Sequence, residues 1–90
     1  MPFEFEVCGY HIYFWLNENN EPIHFHVAKG KPVENATKFW ILRSGDVLLA
    51  HNKSRIPVND LNKIQKYMRN NTYIIVRDWI ARFGYEKYYA

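Results

Sequence analysis

The chain has a single cysteine, Cys8, so no disulfide can form within it. Small secreted domains normally depend on several disulfides, and we therefore expect a reducing compartment, the cytoplasm. No apolar run approaches the roughly 18–20 residues that a membrane-spanning helix needs. The sequence begins Met1-Pro2-Phe3-Glu4 and lacks the basic patch and apolar core of a secretion signal. These absences argue against an extracellular protein and against a membrane partner.

Several motifs that identify enzymes are also missing. The chain has no glycine-rich phosphate loop, no Gly-x-Ser-x-Gly nucleophile elbow and no zinc knuckle. No linker, internal repeat or low-complexity segment divides the sequence. At 90 residues the chain has room for one domain, which we place at 1–90. No cofactor is predicted.

What the chain does have is apolar and aromatic bulk. Hydrophobic residues make up 48% and aromatic residues 18% of the sequence, which excludes a disordered chain. Residues 1–51 carry four basic and six acidic side chains, whereas residues 52–90 carry eight basic and three acidic ones. This basic C-terminal third favours a polyanion or an acidic protein as partner, although a basic helix face is more often simply solvated.

The hydrophobic periodicity changes once along the chain. Before residue 52 it alternates with the period of strands, and after residue 52 it follows the spacing of helices, with Gly84 as a stop. The sequence therefore predicts an α+β fold, an antiparallel sheet of about four to five strands followed by two C-terminal helices packed on one face. The predicted strands are residues 3–8, 10–16, 23–29, 36–42 and 47–51. The predicted helical stripes are Leu61, Ile64 and Met68, then Val76, Trp79, Ile80 and Phe83, within about 58–84.

The two faces of this sheet differ. One is apolar and should pack under the helices. The other mixes aromatic rings with histidines and charges, which is typical of a stacking platform for unpaired bases and equally of a protein-binding patch. A third interpretation is that a loop, the tail or a second copy of the chain covers it. The residues of this second face are Glu4, Glu6, His11, Tyr13, Trp15, His24, His26, Lys38 and Trp40.

The histidine pair on that face has a spacing suited to chemistry. His24 and His26 lie two residues apart on a strand, so both rings point the same way with Cα atoms roughly 6.5–7 Å apart. Beside Lys38, they could transfer a proton and stabilise a phosphorane, as metal-independent RNA cleavage requires. The alternative to this acid–base interpretation is that the two histidines are surface residues without a function.

A metal at this pair would need further ligands. The candidates for a third are His11, Glu18 and Glu6, and no motif places any of them beside the pair. We therefore predict no metal.

Cations that could contact phosphates lie in two places. One group flanks the fifth strand, and the other forms a ribbon along the first helix. Such ribbons are more often solvated than functional. The two groups are Arg43, Lys53 and Arg55, and Lys63, Lys66 and Arg69.

Several segments occur in an order that is hard to obtain by chance. They are Gly9-Tyr10, Asn17-Glu18, Pro22–Val27, Ala36–Trp40, Leu61 with Ile64, Trp79, and Phe83-Gly84. Together they resemble the bacterial family named domain of unknown function 4160, and the Pro-x-His-x-His segment is the most specific part. The chain departs from the usual family pattern at Asn19-Asn20, where a histidine is common, and at Pro57, where a serine is common.

The resemblance implies a small prokaryotic, cytoplasmic protein that is often encoded beside another short protein and regarded as a toxin–antitoxin component. Our leading hypothesis is such a protein that binds or acts on RNA or another nucleic acid, with a small cognate partner protein. The alternative is a non-catalytic protein-interaction module or homodimer that uses the same aromatic face. The residues assigned are His24, His26 and Lys38 for catalysis, and Tyr13, Trp15, Trp40, Arg43, Lys63, Lys66 and Arg69 for binding.

Overall fold

The computed structural model describes residues 3–16 and 20–90, which form a five-stranded antiparallel sheet and two helices. The strands lie in the sheet in chain order, so each one pairs with its neighbour in sequence. The predicted α+β arrangement is confirmed, with strands that are the same length or slightly shorter. Of the predicted loop after the second strand, residues 17–19 lie outside the described part. The strands are β1 (Phe3–Val7), β2 (Tyr10–Phe14), β3 (His24–Ala28), β4 (Thr37–Ile41) and β5 (Val47–His51).

The turn between β1 and β2 has two central residues with positive φ. Cys8 has a φ of 53° and Gly9 a φ of 82°, and the flanking Val7 and Tyr10 are register partners. Two-residue hairpins favour this backbone because its twist matches that of the strands. Cys8, which the sequence predicts as a strand residue, therefore lies in the turn, and its side chain is exposed.

Two helices follow the sheet. Helix α1 spans Val58–Arg69 and begins after Pro57, and helix α2 spans Thr72–Phe83. Gly84 ends α2 as predicted, with a φ of 75° and its N–H donating to the carbonyl oxygen of Ile80 at 2.8 Å. Within residues 3–16 and 20–90, no helix is long and apolar enough to cross a bilayer.

The buried face of α1 agrees with the sequence prediction, whereas the buried face of α2 differs from it. Helix α1 buries its three predicted residues, but α2 is rotated, and Ile80 is 37% exposed. The consecutive apolar residues Ile74–Val76 leave the phase of the stripe undetermined, which explains the difference. The buried residues are Leu61, Ile64 and Met68 of α1 and Thr72, Ile75 and Trp79 of α2.

The core lies between the helices and the apolar face of the sheet, as predicted. The rings of Phe25 and Phe39, on neighbouring strands, stack with centroids 5.3 Å apart. Burial of such side chains stabilises the fold by about 1.5–3 kcal/mol each. The strand residues of this core are Val7, Tyr10, Ile12, Phe14, Phe25, Val27, Phe39, Ile41 and Val47, with Phe5 partly buried against them.

A hydrogen bond joins β2 to the first turn of α1. The Tyr10 hydroxyl donates to the Asp60 carboxylate at 2.7 Å, and Tyr10 is 5% exposed. This hydrogen bond, together with burial and the negative charge of Asp60, raises the pKa of Tyr10 from 10.0 to about 12. The fold therefore favours the neutral phenol.

We expect Tyr10→Phe to lower the free energy of unfolding by about 1–2 kcal/mol near neutral pH, because the carboxylate loses its donor. Since the folded-state pKa lies above the unfolded-state value, this stabilisation is fully present below pH 10 and is lost as the pH rises toward 12. Urea unfolding of both proteins over this pH range checks it. A difference that stays constant up to the highest pH would contradict the proposed role of the bond.

Candidate functional site

The sheet face opposite the helices, which we call the second face, carries the predicted catalytic and stacking residues. The inner part is buried: Tyr13 and His24 are 0% exposed, and His26 is 5% exposed. Of the three interpretations of this face, cover by other parts of the same chain applies to these three residues. The half-buried residues of the face are His11, Trp15, Lys38 and Trp40.

The loop between β3 and β4 covers Tyr13. The Tyr13 hydroxyl donates to the carbonyl oxygen of Val33 at 2.9 Å and accepts from the N–H of the same residue at 3.0 Å. The ring centroid of Tyr13 lies 5.6 Å from that of His26 and 5.5 Å from that of Trp15. This enclosure leaves no face of the Tyr13 ring open to a nucleic-acid base.

Aromatic rings enclose His24. The ring centroids of His26, Trp40 and Trp79 lie 5.1, 5.7 and 5.1 Å from that of His24. Nδ1 of His24 is 2.9 Å from the carbonyl oxygen of Pro22, and it carries the proton because a carbonyl only accepts. The two-residue spacing does bring both histidines together. With His24 at 0% exposure, however, a substrate has no access in this conformation, and catalysis by the pair stays a prediction.

Lys38 is engaged on two sides. Its Nζ lies 3.0 Å from a carboxylate oxygen of Glu21 and 4.2 Å from the ring centroid of Trp40. Lys38 and His26 are register partners across β3 and β4, so the predicted neighbourhood exists. The ammonium charge, however, already has a carboxylate partner, and the side chain is 15% exposed.

The C-terminal tail, residues 85–90, is bound along the end of the sheet. The N–H of Ile23 donates to the carbonyl oxygen of Lys87 at 2.8 Å, and the N–H of Arg43 donates to the carbonyl oxygen of Ala90 at 3.0 Å. These two donors lie just before β3 and just after β4. The tail therefore closes the end of the sheet at which His24 lies.

Tyrosine side chains of the tail complete this cover. The Tyr85 hydroxyl donates to the carbonyl oxygen of Glu21 at 2.8 Å. The ring of Tyr89 lies parallel to that of Trp40, with centroids 4.9 Å apart and an interplanar angle of 5°. The sequence left open whether a loop, the tail or a second chain covers this face, and in the described part the loop and the tail do so. The sequence feature that could have indicated cover by the tail is its three tyrosines, Tyr85, Tyr88 and Tyr89.

No metal cluster forms around the histidine pair in the described ranges. Within residues 3–16 and 20–90, no three His, Cys, Asp or Glu side chains are placed to hold a metal ion together. Of the candidate third ligands, His11 and Glu6 do not complete such a group with His24 and His26. The remaining candidate, Glu18, lies outside the described residues.

The side chain of Asn52 makes hydrogen bonds within the loop between β5 and α1 and to β4. Its Oδ1 accepts from the Thr37 hydroxyl at 2.7 Å and from the N–H of Ile56 at 3.0 Å. This loop holds Arg55 at a φ of 55°, a left-handed conformation that non-glycine residues rarely adopt. Arg55 and Lys29 border a depression of about 190 Å³ near the start of α1.

Two lysines of α1, Lys63 and Lys66, line the same depression as an exposed tyrosine. Tyr67 is 45% exposed, and the depression beside it has a volume of about 350 Å³. No carboxylate among residues 5–16 and 20–90 forms an ion pair with Lys63 or Lys66. Their charges are therefore available to an anion. The lining residues are Cys8, Lys63, Lys66, Tyr67, Asn70 and Asn71.

Arg69 connects this part of α1 to the turn between β4 and β5. Its Nε donates to the Asp46 carboxylate at 2.6 Å, and this bond holds the pKa of Asp46 below its ordinary value. Arg43 lies in the same turn, exposed, with its guanidinium carbon 5.1 Å from the ring centroid of Tyr88. The predicted helix ribbon therefore leads from α1 to the β4–β5 turn and on to the tail.

The fold and these surfaces define a small antiparallel-sheet protein with two C-terminal helices and a covered histidine pair. Residues 9–80, more than half of the chain, match the family described as Domain of unknown function (DUF4160). The chain belongs to this family, as the resemblance of its segments indicated. No curated protein and no solved structure matches the chain. The tail lies beyond the matched residues.

We expect His24→Ala and His26→Ala each to lower the free energy of unfolding by about 2–5 kcal/mol, because removal of a buried ring leaves a cavity. The matched control is His51→Ala, at a half-buried position on the edge strand, which should cost less than about 1 kcal/mol. Urea unfolding followed by circular dichroism measures all three. Unchanged stability in the first two variants would contradict the enclosed placement of the pair.

Proposed function

We propose that the protein binds single-stranded RNA, or a related single-stranded nucleic acid, as one component of a two-gene module of the toxin–antitoxin type. The observation that carries the proposal is the depression on α1 that Lys63, Lys66 and the exposed Tyr67 line together. The module context rests on the family resemblance alone. No reaction is part of the proposal, since the rings of His24 and His26 are enclosed.

An exposed ring beside two cations suits an unpaired nucleotide. Its base can stack on the ring while the lysines attract the phosphates on either side. Lys63 and Lys66 are three residues apart and Lys63 and Tyr67 four apart, so all three lie on one side of the helix. A duplex keeps its bases paired and stacked on one another, which makes the single-stranded form the better ligand for this ring.

Further basic residues lie beyond Tyr67, toward the turn between β4 and β5. Helix α1 rises about 9 Å between Lys63 and Arg69 at about 1.5 Å per residue. Arg69 contacts Asp46 in the β4–β5 turn, which also carries Arg43. Because Asp46 is paired with Arg69, the two charges balance each other, and the net positive charge of the route comes from Lys63, Lys66 and Arg43. The cationic path consists of Lys63, Lys66, Arg69 and Arg43.

We expect labelled single-stranded RNA of about ten nucleotides to bind with an affinity that falls as salt rises. In Lys63→Ala/Lys66→Ala, binding should weaken at low salt. The slope of log affinity against log salt should fall by about 1.4, because each neutralised phosphate of a single strand contributes about 0.7. Fluorescence anisotropy over a salt series measures both quantities, and electrophoresis of the RNA shows whether it is cut.

The matched control is Lys31→Ala/Arg77→Ala, which removes the same charge at exposed positions outside the cationic path. It should keep most of the affinity and the slope of the wild type. Two double variants that behave alike would mean that net charge rather than the path governs binding. No binding by the wild type at low salt would exclude the proposed function.

A second candidate function, protein interaction, is favoured by the edge strand β5. Leu48 is 44% and Leu49 39% exposed on this strand, which lies at one edge of the sheet. An exposed apolar edge is a template for pairing with another strand. The register shift between Lys38 and Phe39 blunts part of this edge. A homodimer through β5, or pairing with the cognate partner protein, would use the remaining part.

If β5 mediates dimerisation, light scattering should give the mass of a dimer for the wild type and of a monomer for Leu48→Lys. The charge at the edge opposes pairing with another strand. The control Tyr73→Lys, on the exposed face of α2, should not change the mass. A wild-type monomer at high concentration rules out the homodimer.

A further inference from the structure

The stack of Tyr89 on Trp40 has the geometry of a base on an aromatic side chain. The two rings are parallel to within 5°, with centroids 4.9 Å apart. Pairs of protein side chains adopt offset-stacked or edge-to-face arrangements, and a base on a tryptophan uses the stacked one. Tyr89 therefore occupies a surface of the indole on which an unpaired base would fit.

Cations lie next to the same indole. The Nζ of Lys38 is 4.2 Å from the Trp40 ring centroid, and Arg43 follows Trp40 three residues later in the β4–β5 turn. A base on Trp40 would have its phosphates near Arg43, since the Lys38 ammonium already pairs with Glu21. Because Arg43 is also the end of the cationic path, a strand that follows the path arrives at Trp40.

The Tyr89 side chain can leave Trp40 without release of the tail. The tail is anchored by backbone carbonyl groups on either side of Tyr89, those of Lys87 and Ala90. Tyr89 itself is 56% exposed, so a rotation of its side chain moves the ring into solvent and uncovers little of the core. The Ile23 amide that binds Lys87 stays covered during this change.

We infer that Trp40 is a stacking subsite for an unpaired base of single-stranded RNA, and that Tyr89 occupies this subsite in the free protein. The inference rests on the proposed function and adds a particular contact to it. Tyr89 competes with the base, so the protein binds RNA more weakly than its surface allows. Trp40, which the sequence predicts as a stacking residue, keeps that role, and Tyr89 regulates access to it.

The test compares RNA binding by the wild type and by Tyr89→Leu, which removes the competing aromatic stack and keeps an apolar side chain. We expect binding about two- to tenfold tighter, because an aromatic pair contributes about 0.5–1.5 kcal/mol and 1.4 kcal/mol corresponds to tenfold. The probe is the labelled single-stranded RNA of about ten nucleotides. The matched control is Tyr73→Leu, another exposed tyrosine that lies on α2, which should bind as the wild type does.

A second pair of variants assigns the gain to Trp40. In Trp40→Leu/Tyr89→Leu the increase should be absent, and RNA should no longer quench the tryptophan fluorescence that it quenches in Tyr89→Leu. Circular dichroism confirms that both variants are folded, and Trp40→Phe, which keeps a ring for stacking, replaces Trp40→Leu if that variant unfolds. With Trp40→Phe the affinity gain should persist while the fluorescence quenching is lost.

The outcomes separate this inference from the proposed function. Salt-dependent RNA binding by the wild type, with equal or weaker binding by Tyr89→Leu, overturns the inference and leaves the proposed function standing. A gain that persists in Trp40→Leu/Tyr89→Leu also overturns it, because the base is then not on Trp40. If neither the wild type nor Tyr89→Leu binds RNA at low salt, both fall together.

Discussion

The sheet has two faces to bury, and two helices cover one of them. The second face carries Tyr13, His24 and His26, whose rings are larger and more apolar than the side chains that usually face water on a sheet. The chain buries them with its own loop and tail, through the double hydrogen bond between Tyr13 and Val33 and the backbone bond from Ile23 to the tail. These contacts decide which side chains are accessible, and therefore where a ligand can bind.

Because this cover buries the histidine pair, the side chains that a ligand can reach lie elsewhere on the surface. The histidine pair becomes part of a packed aromatic cluster, while the cations that keep their charge available lie on α1 and in the β4–β5 turn. Lys63 and Lys66 share a depression with the exposed Tyr67, and Arg43 lies in the turn that follows Trp40. A binding surface of this kind needs no catalytic group, and it agrees with the basic charge of residues 52–90. The partly open edge strand β5 offers a separate surface for a protein partner.

The hydrophobic periodicity of the sequence was enough to predict the fold. It was not enough to predict the rotation of α2 or the cover of the second face. Alternation assigned the strands and the core face because burial of Phe25 or Phe39 leaves one possible register. It misassigned Ile80, since three consecutive apolar residues fit more than one helical phase. The candidate site was harder to predict from the sequence. Alternation indicates which side chains share a face of the sheet, but it does not indicate which segment covers that face. The contacts of Tyr13 with Val33 and of Trp40 with Tyr89 span 20 residues or more, beyond any local pattern. The placement of Lys63, Lys66 and Arg69 along one helix could be predicted because helical spacing is local.

In the proposed function, a ligand contacts Trp40 and the cationic path while the enclosed cluster around His24 stays closed. The indole N–H signals of Trp40 and Trp79 report on these two regions, because Trp40 is half-buried beside Tyr89 and Trp79 is buried against His24. The most direct measurement is a nuclear magnetic resonance titration of the labelled protein with single-stranded RNA. We expect the Trp40 signal to shift and the Trp79 signal to stay unchanged. A shift of Trp79 without a shift of Trp40 would mean that the cover opens and that the histidine pair is the site.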